Sequence, residues 1–229
     1  MRSRRVNSGR YHPWQFTCSL WAIAVSMNVP ISHFTNFGAK VPEGDSVERM
    51  VCSQCDWIHY ENPRIIVSAL CFWQNQILFC RRAIPPRYGF WTLPGGFMEN
   101  GETAEAAAAR EVYEEAGAEV EIERLFATYS IPRIGQVHLV YLAQMTSAKF
   151  HSGQESLDVQ LFKADHSSIP WQDLAFPVNE WTFQDYFGPD GQSRQTPFTT
   201  KPEHLDQKMS SIAFHPDFPP PDFPSQGQS

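Results

Sequence analysis

The sequence predicts an α/β fold, and three observations carry that expectation. Apolar stretches rich in β-branched and aromatic residues recur through the middle of the chain: "RIIVSALCFW" (64–73), "QILFCRR" (76–82) and "QVHLVYLAQM" (136–145). Between the second and third stands one strong helix former, "AEAAAAREVYEEA" (104–116). Hydrophobic residues make up 42% of the 229 residues and aromatics 14%, enough apolar material for a real core.

The elements follow in chain order. Residues 1–32 fit no domain pattern and form an N-terminal extension. Its basic start, "MRSRRVNSGR", and the short apolar run "CSLWAIAVSM" are loosely signal-like or transit-like. From 64, two strands joined by "QNQ" read as a hairpin, with Asn75 as the turn residue. "AIPPRYG" (83–89) is a loop punctuated by prolines. "FWTL" is a short strand that stops at Pro94, and Gly95 and Gly96 form a loop. The helix starts behind Thr103 as N-cap, with Glu105 in its first turn, and ends at Gly117. "EVEIERLFATYSI" (119–131), 136–145 and "LDVQLFKA" (157–164) are strands, and a terminal helix follows Pro177. From 188 onward the text is rich in Pro, Gln, Ser and Asp. It reads as a disordered, solvated tail, with a partner-binding segment as the alternative that the alternation of proline and aromatic residues leaves open.

Composition narrows the function classes. The net charge is −7 and the pI about 5.6, which argues against a general nucleic-acid or acidic-membrane binder. No apolar run reaches the roughly 18 residues of a membrane span. The five cysteines are odd in number and mostly sit in apolar runs. That pattern suits a reducing, cytoplasmic setting without a disulfide framework, with Cys71 and Cys80 as core residues.

The chemistry is concentrated in "REVYEEAG" (110–117). Glu111, Glu114 and Glu115 fall at i, i+3 and i+4, on one helical face. Like charges at that spacing cost a helix about 0.2–0.5 kcal/mol per pair, so a divalent cation is the expected compensation. Hard carboxylate oxygens suit Mg²⁺ or Mn²⁺. A glycine at 96 lets backbone approach the metal or a phosphate closely. Arg110 points elsewhere on the helix and pairs with Glu102, fixing the loop against the helix.

Read from Gly96, the spacing is G-x5-E-x7-R-E-U-x-E-E-x-G-U, with Glu102, Arg110, Glu111, Glu114, Glu115 and Gly117 in place. Ala118 stands where a bulkier aliphatic residue is usual. This resembles the box of the Nudix hydrolases. Similarity extends over about 37–187, through "IHYENPRIIV" (58–67), "RRAIPPRYGFWTLPGGFMENGET" (81–103), "IPRIGQVHLVYLA" (131–143) and "GQESLDVQLF" (153–162). These segments look like the zinc-ribbon Nudix subfamily, which includes bacterial proteins and the plant chloroplast FAD pyrophosphatase.

The resemblance implies a Nudix α/β/α sandwich with a mixed sheet at 61–187, preceded by a degenerate zinc-ribbon-like segment at 33–60 and followed by the tail at 188–229. It implies a metal-dependent pyrophosphatase that cleaves a nucleoside diphosphate linked to another moiety. FAD, giving FMN and AMP, is the favoured substrate, with ADP-ribose or NADH as alternatives. The "SQPWPFPxS" stretch of NADH-cleaving members is absent, which lowers NADH. A nucleotide sensor that has lost hydrolysis is the competing class, and three intact repelling acids argue against it.

Site residues follow from residues and resemblance together. Glu111, Glu114, Glu115 and Gly96 hold the metal. Glu102, Glu115 and Glu155 are the candidates for catalysis, with Asp158 competing with Glu155 as the base. Arg81, Arg82 and Trp91 are candidate substrate contacts, with Phe90 and Tyr60 as further stacking candidates. For zinc, "CSQC" supplies Cys52 and Cys55. Phe34 and Phe37 stand where the subfamily's other cysteine pair belongs, leaving His33 and His59 as recruits. The expected partner is a small dinucleotide, with a homodimer as the oligomeric expectation.

Overall fold

The computed structural model describes residues 36–199, which fall into two units meeting at Asn62 and Pro63. The N-terminal extension, His33, Phe34 and everything beyond 199 lie outside the described residues.

The first unit is a three-stranded antiparallel sheet of β1 (Phe37–Lys40), β2 (Arg49–Cys52) and β3 (Ile58–His59), in that order. The turn after Cys52 is tight. The Cys52 amide donates to Trp57 O at 2.8 Å, the Asp56 amide donates to Cys52 O at 2.9 Å, and Asp56 adopts φ +55°. Cys52 is buried and Cys55 exposed. The Phe37 ring meets Trp57 edge-on at 6.1 Å, an aromatic contact where a ribbon would carry a ligand.

The second unit is built on an eight-stranded mixed sheet. Its path runs β10 (Ser156–Lys163), β5 (Gln76–Arg82), β4 (Arg64–Trp73), β9 (Gln136–Met145), β8 (Val120–Ile131) and β11 (Phe198–Thr199). The short strands β6 (Trp91–Thr92) and β7 (Gly95–Phe97) pair with β5 and β4. The β4–β9 and β8–β11 pairs are parallel, and the other pairs are antiparallel.

Strand parity separates two cores. Ala69, Cys71, Leu78 and Cys80 face Val112 and Ala116 of α1 (Ala104–Ala116). Leu70, Phe72, Ile77 and Phe79 face Val178 and Phe183 of α2 (Pro177–Phe187). Because both faces are covered, β4 and β5 read as unbroken apolar runs rather than alternating ones. Each fully buried large side chain, such as Phe79 or Phe183, contributes about 1.5–3 kcal/mol.

Local chemistry explains α1. Thr103 Oγ1 accepts from the Ala106 amide at 3.1 Å, and Gly117 takes the left-handed conformation at φ 58° while its amide donates to Tyr113 O. Ala107 and Ala108, with no bulk beyond Cβ, bring the helix down against Val67 and Tyr141. For α2, Pro177 occupies the first turn, where its missing amide costs nothing.

Asn75 lies in the hairpin turn as expected, and the positive φ of that turn, 54°, falls on Gln74. Two expectations are corrected. Gly95 and Gly96 are a strand rather than a loop, because β4 imposes pairing on them: Val67 lies opposite Gly96 and Ser68 opposite Gly95. The chain also stays ordered past 187. Phe198 packs on Phe126 at 5.2 Å and joins the α2-side core, with the Arg194 guanidinium over its ring at 4.3 Å.

Candidate active site

Helix α1 presents its acids to a cavity of about 1140 Å³. Its lining includes Glu111, Glu114, Glu115, Glu155 and Arg82, and also Ile66, Phe97, Ile131, Ile134 and Trp181. The combination of charged groups and apolar surface in a space this size fits an ionic ligand attached to a ring.

Glu115 is the buried member, 6% exposed. Its Oε2 accepts from the Gly95 amide at 3.1 Å, which ties the helix to β7. Burial pushes its carboxyl up to about 7, and the charges of Glu111 and Glu155 add to the rise while the Gly95 amide and Arg82 oppose it. Glu111 is also raised, chiefly by burial, with Arg110 opposing. Its carboxylate lies over Gly96, where an added Cβ would sit 2.6 Å from both oxygens. Glu114 stands at the rim, its side chain 55% exposed.

Arg110 does not point away from this face. It pairs with Glu102 and also donates to Glu111 and to Glu114, each at 2.9 Å. A fourth contact reaches Phe97 O at 3.1 Å. The arginine therefore sits among three carboxylates and the loop backbone. Glu102 is held below the usual carboxylate range by Arg110 first and by the Glu99 amide second.

Glu155 comes from the loop before β10. Its carbonyl accepts from the Ala83 amide at 2.8 Å, and its carboxylate lines the cavity. Asp158 instead accepts from the Val159 amide and from Gln160, so it serves its own strand.

The adjacent arginines part company through strand parity. Arg82 shares the α1 side with Cys80, donates to Pro86 O at 2.9 Å and lies over the Phe176 ring. Arg81 is on the α2 side, donating to Gly89 O at 2.8 Å with its guanidinium over Trp91. Trp91 is 5% exposed and packs edge-on against Phe162 in the core. Arg81 and Trp91 therefore do not line the cavity. Phe90 is likewise buried. Tyr60 belongs to the other unit.

Several cavity residues went unnoticed in the sequence. Phe97 is 49% exposed, and the Arg64 guanidinium lies over its ring at 5.2 Å. His138 and Gln136 come from the start of β9, and Trp181 from α2. A signal was present for Phe97, a large aromatic directly after two glycines. None marked the others.

Among the described residues, no three His, Cys, Asp or Glu side chains converge as metal ligands. At α1 the physical reason is Arg110, which draws Glu111 and Glu114 to itself. The donor set still fits a hard divalent cation. Only a glycine at 96 admits the Glu111 carboxylate, and buried Glu115 sits in a field of like charge that a cation relieves. In the first unit, Cys52 and Cys55 find no such cluster among the described residues.

The profile of the NUDIX domain matches residues 62–185, over half of the chain, and the Nudix N-terminal profile, a zinc ribbon, matches 35–61. An ADP-ribose pyrophosphatase of Methanocaldococcus jannaschii is 31% identical over 131 residues, covering 56% of this chain and 75% of that protein. An NAD-capped RNA hydrolase NudC of Vibrio parahaemolyticus is 35% identical over 118 residues, covering 49% of this chain but only 44% of the relative's length. A crystal structure of a NUDIX hydrolase from Nitrosomonas europaea is 44% identical with a TM-score of 0.65, covering 71% of this chain and 90% of that one. With the acids of the box gathered at one cavity and its profile spanning the domain, the chain belongs to the Nudix hydrolase family.

Proposed function

We propose that the protein hydrolyses the diphosphate bond of a nucleoside diphosphate linked to a second moiety. The observation that carries this is the single cavity that joins the box acids, Glu155 and Arg82 to an apolar wall beside an exposed aromatic ring. Within the class, FAD is favoured by the subfamily resemblance, and ADP-ribose is supported by the archaeal relative's activity.

Glu111, Glu115 and Glu114, with the Gly96 backbone, are assigned to Mg²⁺ or Mn²⁺. When bound, such an ion polarises phosphoryl oxygens and lowers the pKa of water. The chain's own groups do the rest. Glu155 accepts a proton from the attacking water, whose oxygen forms a new bond to one phosphorus. The phosphoanhydride P–O bond then breaks, and its electron pair leaves on the departing phosphate. Arg82 lies beside the developing charge, and a guanidinium matches phosphate geometry. FAD would yield FMN and AMP, and ADP-ribose would yield AMP and ribose 5-phosphate. Arg110 and Glu102 hold the loop against the helix and touch no reacting atom.

The test is incubation with MnCl₂ or MgCl₂ and a panel of FAD, ADP-ribose, NADH and ADP-sugars, with products identified by mass. Glu115→Gln keeps an acceptor for the Gly95 amide and should lose turnover by orders of magnitude while remaining folded, because a lost metal ligand forfeits several kcal/mol of transition-state charge stabilisation. Full activity in that variant, or no cleavage of any panel member by the wild type, overturns the reading.

A further inference from the structure

The loop that delivers Glu155 has no regular structure between Ser147 and Gly153, yet it docks in register on the last turn of α1. The Gly153 amide donates to Glu115 O at 2.9 Å, and the His151 amide donates to Ala116 O at 2.8 Å. These are carbonyls that a helix end leaves without intrahelical partners. The loop therefore caps the helix that carries the box acids.

Two glycines make the contact tight. A Cβ on Gly153 would run into Glu114 O, and one on Gly117 would run into the His151 ring. Two residues beyond Gly153, Glu155 is fixed a second time, by the Ala83 amide on its carbonyl. The loop thus locks Glu155 to the turn that presents Glu111 and Glu115.

We infer that Gly153, with His151 stacked on Gly117, is a positioning device that sets Glu155 against the box glutamates. This rests on the proposed role of Glu155 in the hydrolysis. It also extends that role, because it makes turnover depend on the fit of two residues at the edge of the cavity that carry out no step of the reaction themselves.

The experiment uses the full chain with MnCl₂ and compares Gly153→Ala, Glu155→Gln and the double variant on FAD and ADP-ribose. Amide hydrogen exchange is followed in parallel without metal or substrate. Expected are protected His151 and Gly153 amides in the wild type and faster exchange there in Gly153→Ala, with the middle of α1 still protected. Gly153→Ala should lower kcat about 10- to 100-fold with KM within about threefold. The double variant should be no slower than Glu155→Gln alone, because the glycine acts only through the glutamate.

Unprotected wild-type amides, wild-type kcat in Gly153→Ala, or losses that multiply in the double variant each overturn the inference. Full activity of Glu155→Gln instead sinks the role of the glutamate. If the wild type cleaves neither substrate, the proposed function fails, and the exchange data alone decide the docking.

Discussion

Arg110 grips Glu102 with two donors on one edge of its guanidinium, Nε to Oε2 at 3.1 Å and Nη2 to Oε1 at 2.9 Å. The same Nη2 reaches Phe97 O, and the Glu99 amide donates to Glu102 Oε1 at 2.7 Å. One planar group thus sets the path of 97–102 relative to α1. A lysine offers a point charge and cannot reproduce this bidentate pair. Arg110→Lys should lose about 10- to 100-fold in turnover through misplacement of the loop, with helix content by circular dichroism unchanged. Wild-type kinetics in this variant would show that the bidentate geometry is dispensable.

Gly96 tests the close approach of β7 to α1. A methyl group there would sit 2.6 Å from the Glu111 carboxylate, so the carboxylate must turn away. Gly96→Ala should weaken Mn²⁺ binding in a calorimetric titration and reduce turnover by about 10²-fold. Unchanged Mn²⁺ affinity would remove Glu111 from the ligand set.

The aromatics divide into wall and core. Phe97→Ala should raise KM about 5- to 160-fold, the range that base–aromatic stacking of about 1–3 kcal/mol implies, and leave the thermal midpoint nearly unchanged. Trp91→Ala should behave in the opposite way. It empties a site between Phe162 and Arg81 and should cost about 3–5 kcal/mol of stability. Unfolding curves and steady-state kinetics on both variants check the division, and a large KM change in folded Trp91→Phe would reverse it.

His138 gives a pH signature. Burial pulls its imidazole down to about 4 from an ordinary value near 6.5. The unfolded chain therefore binds this proton first as pH falls. Its contribution to stability is intact above about 6.5 and is lost progressively between about 6.5 and 4. The raised carboxyl of Glu115 works in the opposite direction over an overlapping range. The informative quantity is therefore the difference between wild type and His138→Gln. In urea unfolding, the wild type should lose on the order of 1–3 kcal/mol relative to the variant between pH 7 and pH 4. Parallel pH profiles would place the imidazole in water.

What was legible in the sequence was local. Thr103 and Gly117 could be assigned because capping depends on a few neighbouring backbone groups. The box acids could be placed on one face because helical periodicity fixes it. Other placements depend on distant contacts. Arg81 and Arg82 are chemically identical neighbours, and only the register of β5 decides which one sees the cavity. Gly95 and Gly96 have little strand propensity, and their pairing is imposed by β4, nearly 30 residues earlier. Asn75 was the better turn former by residue type, yet the hairpin put its positive φ on Gln74. Phe198 sits in a stretch whose composition suggests disorder, and its order comes from Phe126 and Ala127 on a distant strand.

That last strand has a consequence for solubility. β8 lies next to the rim of the sheet, and among the described residues β11 pairs with it at Ala127 and Thr128. The stretch before them carries Glu121 and Glu123, exposed charges that discourage edge-to-edge association of one molecule with another. At Phe126 the Arg124 guanidinium lies over the ring, and β11 pairs with the backbone beside it. Trimming the chain back to Gly188 would leave Glu111, Glu114, Glu115 and Glu155 in the chain but remove β11 from the edge at Ala127 and Thr128, and aggregation would be the cost.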